Sequence, residues 1–232
     1  MIAATYYRSL LTPSEQRVYK DIVTGLLRRR ASIYITQEHA QIESVRKIVR
    51  AVHLDHAELF YIDFWHYQMT QSLIPCGMFL SFRMMLDQEP STAVMNSLNA
   101  KATSMQEIAR QKASREEIYF MIAKEIATTT EYVDSNNAFW EHTVAGPVLT
   151  HRAVCEGIAK MFLFLCQRLN LPCAIITGTL NGAPHAWNMI ELNGVRKYID
   201  VTAALQTISL YTLFPSGLFK SGQSLRRNGY DW

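Results

Sequence analysis

The sequence has no apolar run near the roughly 18 residues that a membrane-spanning helix requires, so no membrane span is expected. Its opening, "MIAATYYRSLLTPSEQ", lacks a basic stretch followed by an apolar one. No signal peptide is visible, and a cytoplasmic location is the expectation, with secretion fitting only a chain trimmed of its leader. Cysteine is scarce: Cys76, Cys155, Cys166 and Cys173 form no paired framework, which suits reduced thiols better than disulfides. A zinc site built from Cys155, Cys166, Cys173 and His185 lacks any Cys-x-x-Cys or His-x-x-x-His clip, and no acidic cluster suggests calcium. No metal and no cofactor are therefore expected. Excess charge is missing too, since the formal net charge is only +3 and the basic residues are scattered, which gives nucleic acid no footprint. The exception, Arg28 to Arg30, falls at the end of an expected helix, where solvated cations complement the helix dipole. Repeats and low-complexity segments are absent.

What is present is enough apolar material, 49% of the residues, to bury a full core in one large domain or two small ones. In "LTPSEQRVYKDIVTGLLRR", Thr12 as N-cap, Pro13 at the first helical position and Glu15 three places after the cap form a capping box. Val18, Ile22 and Leu26 then recur at helical spacing, as do Ile42, Val45, Ile48, Val49 and Val52. Aromatic and branched residues mark "LFYIDFWHY" and "CGMFLSFRMML" as strands. "DQEPST" breaks the pattern near residue 90, and helical spacing resumes at Met105, Ile108 and Ala109, leading into "REEIYFMIAKEIATTTEYV". The last third holds one apolar helix after Cys155 and three short strands, "CAIITG", "HAWNMIEL" and "RKYIDVT", separated by Asn and Gly turn signals. The expectation is an α+β fold with an N-terminal α+β region at 1–90 and a core domain at 91–232.

Cys155 carries the question of chemistry, because a free cysteine is by default a small core residue. It precedes the run Ile158, Ala159, Phe162, Leu163, Leu165 and Leu169, at the positive end of a helix dipole where a thiolate is stabilised. Gly157 would let a substrate or a neighbouring backbone come close. His185 opens the strand after "NGAP", and Asp200 ends the next strand, joined to it by Asn193-Gly194 as a hairpin. Antiparallel neighbours can bring imidazole and carboxylate side by side. Thiol catalysis needs thiolate against imidazole, and imidazole oriented by a third group. Taken singly, His185 could be a turn histidine and Asp200 a strand-end cap.

Together, "VCEGIAKMFLFLCQRLNLPCAIITG" and "HAWNMIELNGVRKYIDVT" resemble the transglutaminase-like superfamily over roughly residues 115–205, with weaker likeness in "YYRSLLTPSEQRVYKDIVTGL" and "DHAELFYID". The resemblance implies a papain-like core: a helix carrying Cys155 at its N-terminus, packed on a small antiparallel sheet. It implies Cys155 as nucleophile, His185 as general base and then acid, and Asp200 as the orienting carboxylate. It further implies a thioester formed from a peptide or glutamine-type amide and resolved by water or an amine, as in a protease, deamidase or transglutaminase. The partner is then a protein or peptide substrate. Ile158 stands where the family often has Tyr, "DVTAAL" lacks its Trp-Asp, and Asn137, Ala138 and Phe139 replace a common Ser-Ala-Tyr.

An oxyanion hole would use the Cys155 N–H with Asn137 or Trp140 as side-chain candidates. Trp187 is expected to face away from His185 and to fill the core, a pocket role roofing the triad being its alternative, and Cys76, Cys166 and Cys173 are expected to pack. His39, His53, His56, His66, His142 and His151 show no partner pattern, although His151 is close enough in sequence to tune the thiol. The competing expectation is a binding or scaffold module that keeps the fold without the activity. The acyl acceptor and the oligomeric state have no sequence signal.

Overall fold

A computed structural model describes residues 2, 5–36, 38, 41–74, 76–134, 138–206 and 218–232. It divides into two compact units, Thr5–Thr92 and one built on Ala93–Trp232.

The first unit begins with α1 (Pro13–Leu27), whose capping box is complete: Thr12 Oγ1 accepts the Glu15 N–H at 3.3 Å, and Glu15 Oε2 accepts the Thr12 N–H at 2.8 Å. β1 (Ser32–Thr36) follows, then α2 (Ile42–Asp55), β2 (Ile62–Leu73) and β3 (Cys76–Met84). The strands form an antiparallel sheet in the order β1-β3-β2. The strand expected from "LFYIDFWHY" starts only at Ile62, because Ala57–Leu59 takes up a 3-10 turn. β1 was not anticipated, although Ile33 and Ile35 alternate with Ser32, Tyr34 and Thr36 and are the buried pair. Two expectations are corrected here. Arg29 is not a solvated side chain: its guanidinium lies 4.4 Å over the Tyr61 ring and donates to the Leu86 carbonyl and to Ser91 Oγ. Cys76 does not pack; it is exposed where β3 leaves the hairpin tip, beside the equally exposed Leu73 and Ile74.

α3 (Gln88–Ala109) shows that "DQEPST" opens a helix rather than breaking one. Pro90 falls in the first turn, where no intrahelical N–H is needed. The second unit continues with α4 (Arg115–Thr129), capped by Ser114 Oγ on the Glu117 N–H at 3.2 Å, then β4 (Glu131–Tyr132) and a 3-10 turn at Phe139–His142. Next come α5 (Gly146–Leu149), β5 (Arg152–Ala153) parallel to β4, and α6 (Cys155–Arg168), buried without a break from Gly157 to Cys166. β6 (Cys173–Leu180), β7 (Ala183–Leu192) and β8 (Val195–Ile199) are joined by two-residue turns, Asn181-Gly182 and Asn193-Gly194. All four turn residues have positive φ, as type I′ hairpins demand. α7 (Val201–Gln206), α8 (Gly222–Arg227) and β9 (Tyr230–Asp231) complete the described chain. The sheet runs β8-β7-β6-β9, antiparallel throughout, and α6 packs on it, giving the expected α+β class with the cysteine at a helix start. Among the described residues, no helix is long and apolar enough to cross a membrane.

Candidate active site

Cys155 is the first residue of α6 and is half-buried. Val154 precedes it in extended conformation and supplies no side-chain cap at the positive end of the helix dipole. The helix start is pinned from behind: the Val154 N–H donates to the Glu141 carbonyl at 3.0 Å. Gly157 serves that same contact. A Cβ on it would stand 2.2 Å from the Glu141 carbonyl oxygen and 3.0 Å from that of Thr143. Of the two uses expected for this glycine, the structure shows close approach of neighbouring backbone.

His185 lies on β7, and Asp200 lies one residue beyond the end of β8. The hairpin register pairs Asn188 with Ile199, so the carboxylate arrives beside the imidazole: His185 Nε2 and Asp200 Oδ2 are 2.7 Å apart. Cys155 interacts electrostatically with the same imidazole. Asp200 engages Nε2, and Nδ1 is the other ring nitrogen. Burial works against protonation of His185, but its interactions with Asp200 and Cys155 outweigh that and push its pKa up to about 9. Asp200 is held on both oxygens. Oδ1 accepts the Ala203 N–H at 3.2 Å, capping α7, while Oδ2 accepts from His185 and from the Tyr230 hydroxyl at 2.6 Å. Only 10% of the His185 side chain and 5% of that of Asp200 are exposed, whereas Cys155 is half-buried.

A thiol, an imidazole and a carboxylate are thus grouped by a helix start and a hairpin. Residues 102–203 match the transglutaminase-like superfamily. That stretch contains the two segments around Cys155 and around His185 and Asp200 that carry the resemblance, while the weaker likeness near the N-terminus lies outside it. A comparison with curated proteins gave no match. Among solved structures, the chain is similar to a TGase (14% identity, TM-score 0.44, covering 74% of this chain and 50% of that one). It is also similar to the periplasmic domain of TgpA from Pseudomonas aeruginosa bound to ethylmercury (15%, TM-score 0.39, covering 57% and 58%). A third is a candidate cysteine protease from Cytophaga hutchinsonii (13%, TM-score 0.36, covering 67% and 64%). The chain thus spans between half and just under two thirds of the length of these structures.

Within the transglutaminase-like stretch, Trp187 requires a correction. It does not face away from His185: the two rings stack, with centroids 5.9 Å apart and planes 24° from parallel. Residues two apart on a strand share a face, so His185 and Trp187 point the same way. Trp187 is at the same time a core residue, 1% exposed. Trp140 is half-buried; its ring meets Phe139 edge-on, and its carbonyl accepts from the Thr143 N–H and hydroxyl. Asn137 and His39 lie outside the described residues. Cys166 and Cys173 are buried, and burial together with a hydrogen bond to Cys173 pushes the Cys166 thiol well above its ordinary pKa, as befits packing residues. His151 is exposed. His142 also reaches the first turn of α6, 3.4 Å from Glu156, which pairs with the buried Lys160 at 3.0 Å. No described group of residues could hold a metal ion.

Three aromatic residues near this cluster carry no sequence signal. Tyr132 on β4 lies in the field of Cys155 and Asp200, and burial first, then those charges, raises its pKa. Tyr230 and Trp232 lie beyond the transglutaminase-like stretch. Tyr230 meets the rings of His185 and Trp187 edge-on, and Trp232 meets Trp187 and Tyr198. Burial and the charge of Asp200 hold the Tyr230 phenol well above its ordinary pKa, so its proton stays in place to be donated.

Proposed function

We propose that the region from residue 91 to 232 is a cysteine-dependent acyl-transfer domain acting on peptide or glutamine-type amides. The observation that carries this reading is one imidazole, His185, held 2.7 Å from the Asp200 carboxylate and interacting with Cys155 at the start of a helix. In the proposed reaction the Cys155 thiolate attacks the amide carbonyl carbon, and the carbonyl π electrons move onto oxygen. The oxyanion is met by the Cys155 N–H at the helix start, which carries no side-chain cap. Collapse of that intermediate breaks the C–N bond, and the departing nitrogen takes the proton held on His185. The thioester is then attacked by water or an amine, whose proton returns to His185 as Sγ leaves. Proton transfer by a placed imidazole contributes about two to four orders of magnitude in rate. Asp200 keeps the ring oriented and stabilises its positive charge.

The test is acylation by p-nitrophenyl acetate, an activated ester that needs no particular substrate pocket, followed by mass spectrometry of the peptides. The expected result is rapid acetylation at Cys155, slower at the exposed Cys76, and loss of the fast phase in a folded Cys155→Ala variant. Equal labelling of Cys76 and Cys155 would overturn the reading.

A further inference from the structure

We infer that Tyr230 is a positioning residue of this site: its hydroxyl fixes the Asp200 carboxylate in the orientation that holds His185 against Cys155. The inference rests on the acyl-transfer reading and adds to it a residue from outside the transglutaminase-like stretch.

The carboxylate is reached from three directions. Ala203 N–H fixes Oδ1 at 3.2 Å, and His185 and the Tyr230 hydroxyl share Oδ2 at 2.7 and 2.6 Å. With the hydroxyl removed, the carboxylate keeps the Ala203 N–H on Oδ1 but, among the described residues, Oδ2 is left with only the imidazole it is meant to orient, and the pair is held at one point fewer. The groups facing His185 are Asp200 after β8, Cys155 on α6 and Tyr230 on β9, with the uncharged Trp187 stacked on it from its own strand. Tyr132 on β4 stands in the field of Cys155 and Asp200.

The chain is shaped to seat this hydroxyl. β9 is two residues long and pairs with β6 through Leu180 opposite Tyr230 and Thr179 opposite Asp231. So short a strand adds little stability of its own. Two glycines nevertheless make room for it. Gly178, directly across from His185 in the β6–β7 pair, would place a Cβ 2.0 Å from the Asp231 carbonyl oxygen. Gly229 takes φ +85° and would place one 2.0 Å from Asn181 Oδ1, while the Asn181 N–H donates to the Gly229 carbonyl at 2.8 Å. The Tyr230 ring is then set against Trp187 at 5.1 Å, which leaves its hydroxyl on the carboxylate.

Tyr230→Phe tests this, because it keeps the ring and removes only the hydroxyl; a tyrosine that merely packs would leave the readouts unmoved. The first readout is alkylation of Cys155 by iodoacetamide across neutral and alkaline pH, with Cys76 as internal reference. The second is the NMR titration of the His185 ring. We expect the variant to alkylate Cys155 about tenfold more slowly near neutral pH, the scale of one lost hydrogen bond to a charged group, with His185 titrating at lower pH than in the wild type and Cys76 unchanged. Wild-type behaviour in both readouts overturns the inference. His185→Ala, run in parallel, separates the two levels. If it slows alkylation and Tyr230→Phe does not, the role of Tyr230 fails alone; if neither has an effect, the acyl-transfer reading fails with it. Should the Phe variant not fold, Gly178→Ala replaces it. It leaves the hydroxyl but sets a methyl against Asp231, and is expected to slow Cys155 in the same way; wild-type alkylation in that folded variant overturns the inference equally.

Discussion

His185 and Trp187 stack face to face on one side of β7, centroids 5.9 Å apart, with Trp187 fully buried beneath the imidazole. The indole is thus the floor on which the histidine rests as well as a core residue. Removing it leaves a large cavity directly under the ring. Trp187→Ala is expected to lose about 3–5 kcal/mol of stability, the usual cost of truncating a buried aromatic side chain, and Trp187→Phe less than half of that. Urea unfolding of the two variants measures both.

Gly157 has no such latitude. The atoms a Cβ would meet, the carbonyl oxygens of Glu141 and Thr143, are backbone and cannot swing aside. Gly157→Ala is expected to destabilise by about 1–3 kcal/mol, as overpacking does, and to disturb the Cys155 end of α6 most. A thermal melt gives the first quantity, and the ratio of Cys155 to Cys76 alkylation gives the second.

The His185–Asp200 pair also carries a pH signature. His185 has its pKa pushed up to about 9, above the value near 6.5 of an unfolded histidine. A folded-state pKa above the unfolded one means that the folded chain binds the proton more tightly. This contribution is fully present below about pH 6.5, shrinks as pH rises and is gone above about pH 9. The wild type should therefore lose thermal stability across that window relative to His185→Gln. Parallel curves for the two proteins would show that the imidazole is not held as an imidazolium in the folded state.

Much of this arrangement is readable from local signals, and the exceptions have physical causes. Asn181-Gly182 and Asn193-Gly194 announce their hairpins because positive φ at both positions suits those residues and few others. The second hairpin is what brings Asp200 beside His185. The α1 capping box is equally local. Trp187 was placed on the wrong face although the rule needed was also local, namely that alternate residues on a strand share a side. Gly157 was readable as a close approach, but not what approached it, since Glu141 comes from a separate turn. Arg29 resembled a solvated end of a helix until Tyr61 and Leu86, more than thirty residues on, came beneath it. Tyr230 left no trace at all. It meets Asp200 across 30 residues through a strand too short to have a period.

The central claim of the proposed function is that His185 activates Cys155, and the most direct measurement is the rate of iodoacetamide alkylation of Cys155 at neutral pH in the wild type and in His185→Ala. The account predicts that wild-type Cys155 reacts distinctly faster than the exposed Cys76. It also predicts that His185→Ala brings the Cys155 rate most of the way down to that of Cys76, the remaining difference coming from the helix N-terminus, which the substitution leaves in place. Equal Cys155 rates in the two proteins would contradict it.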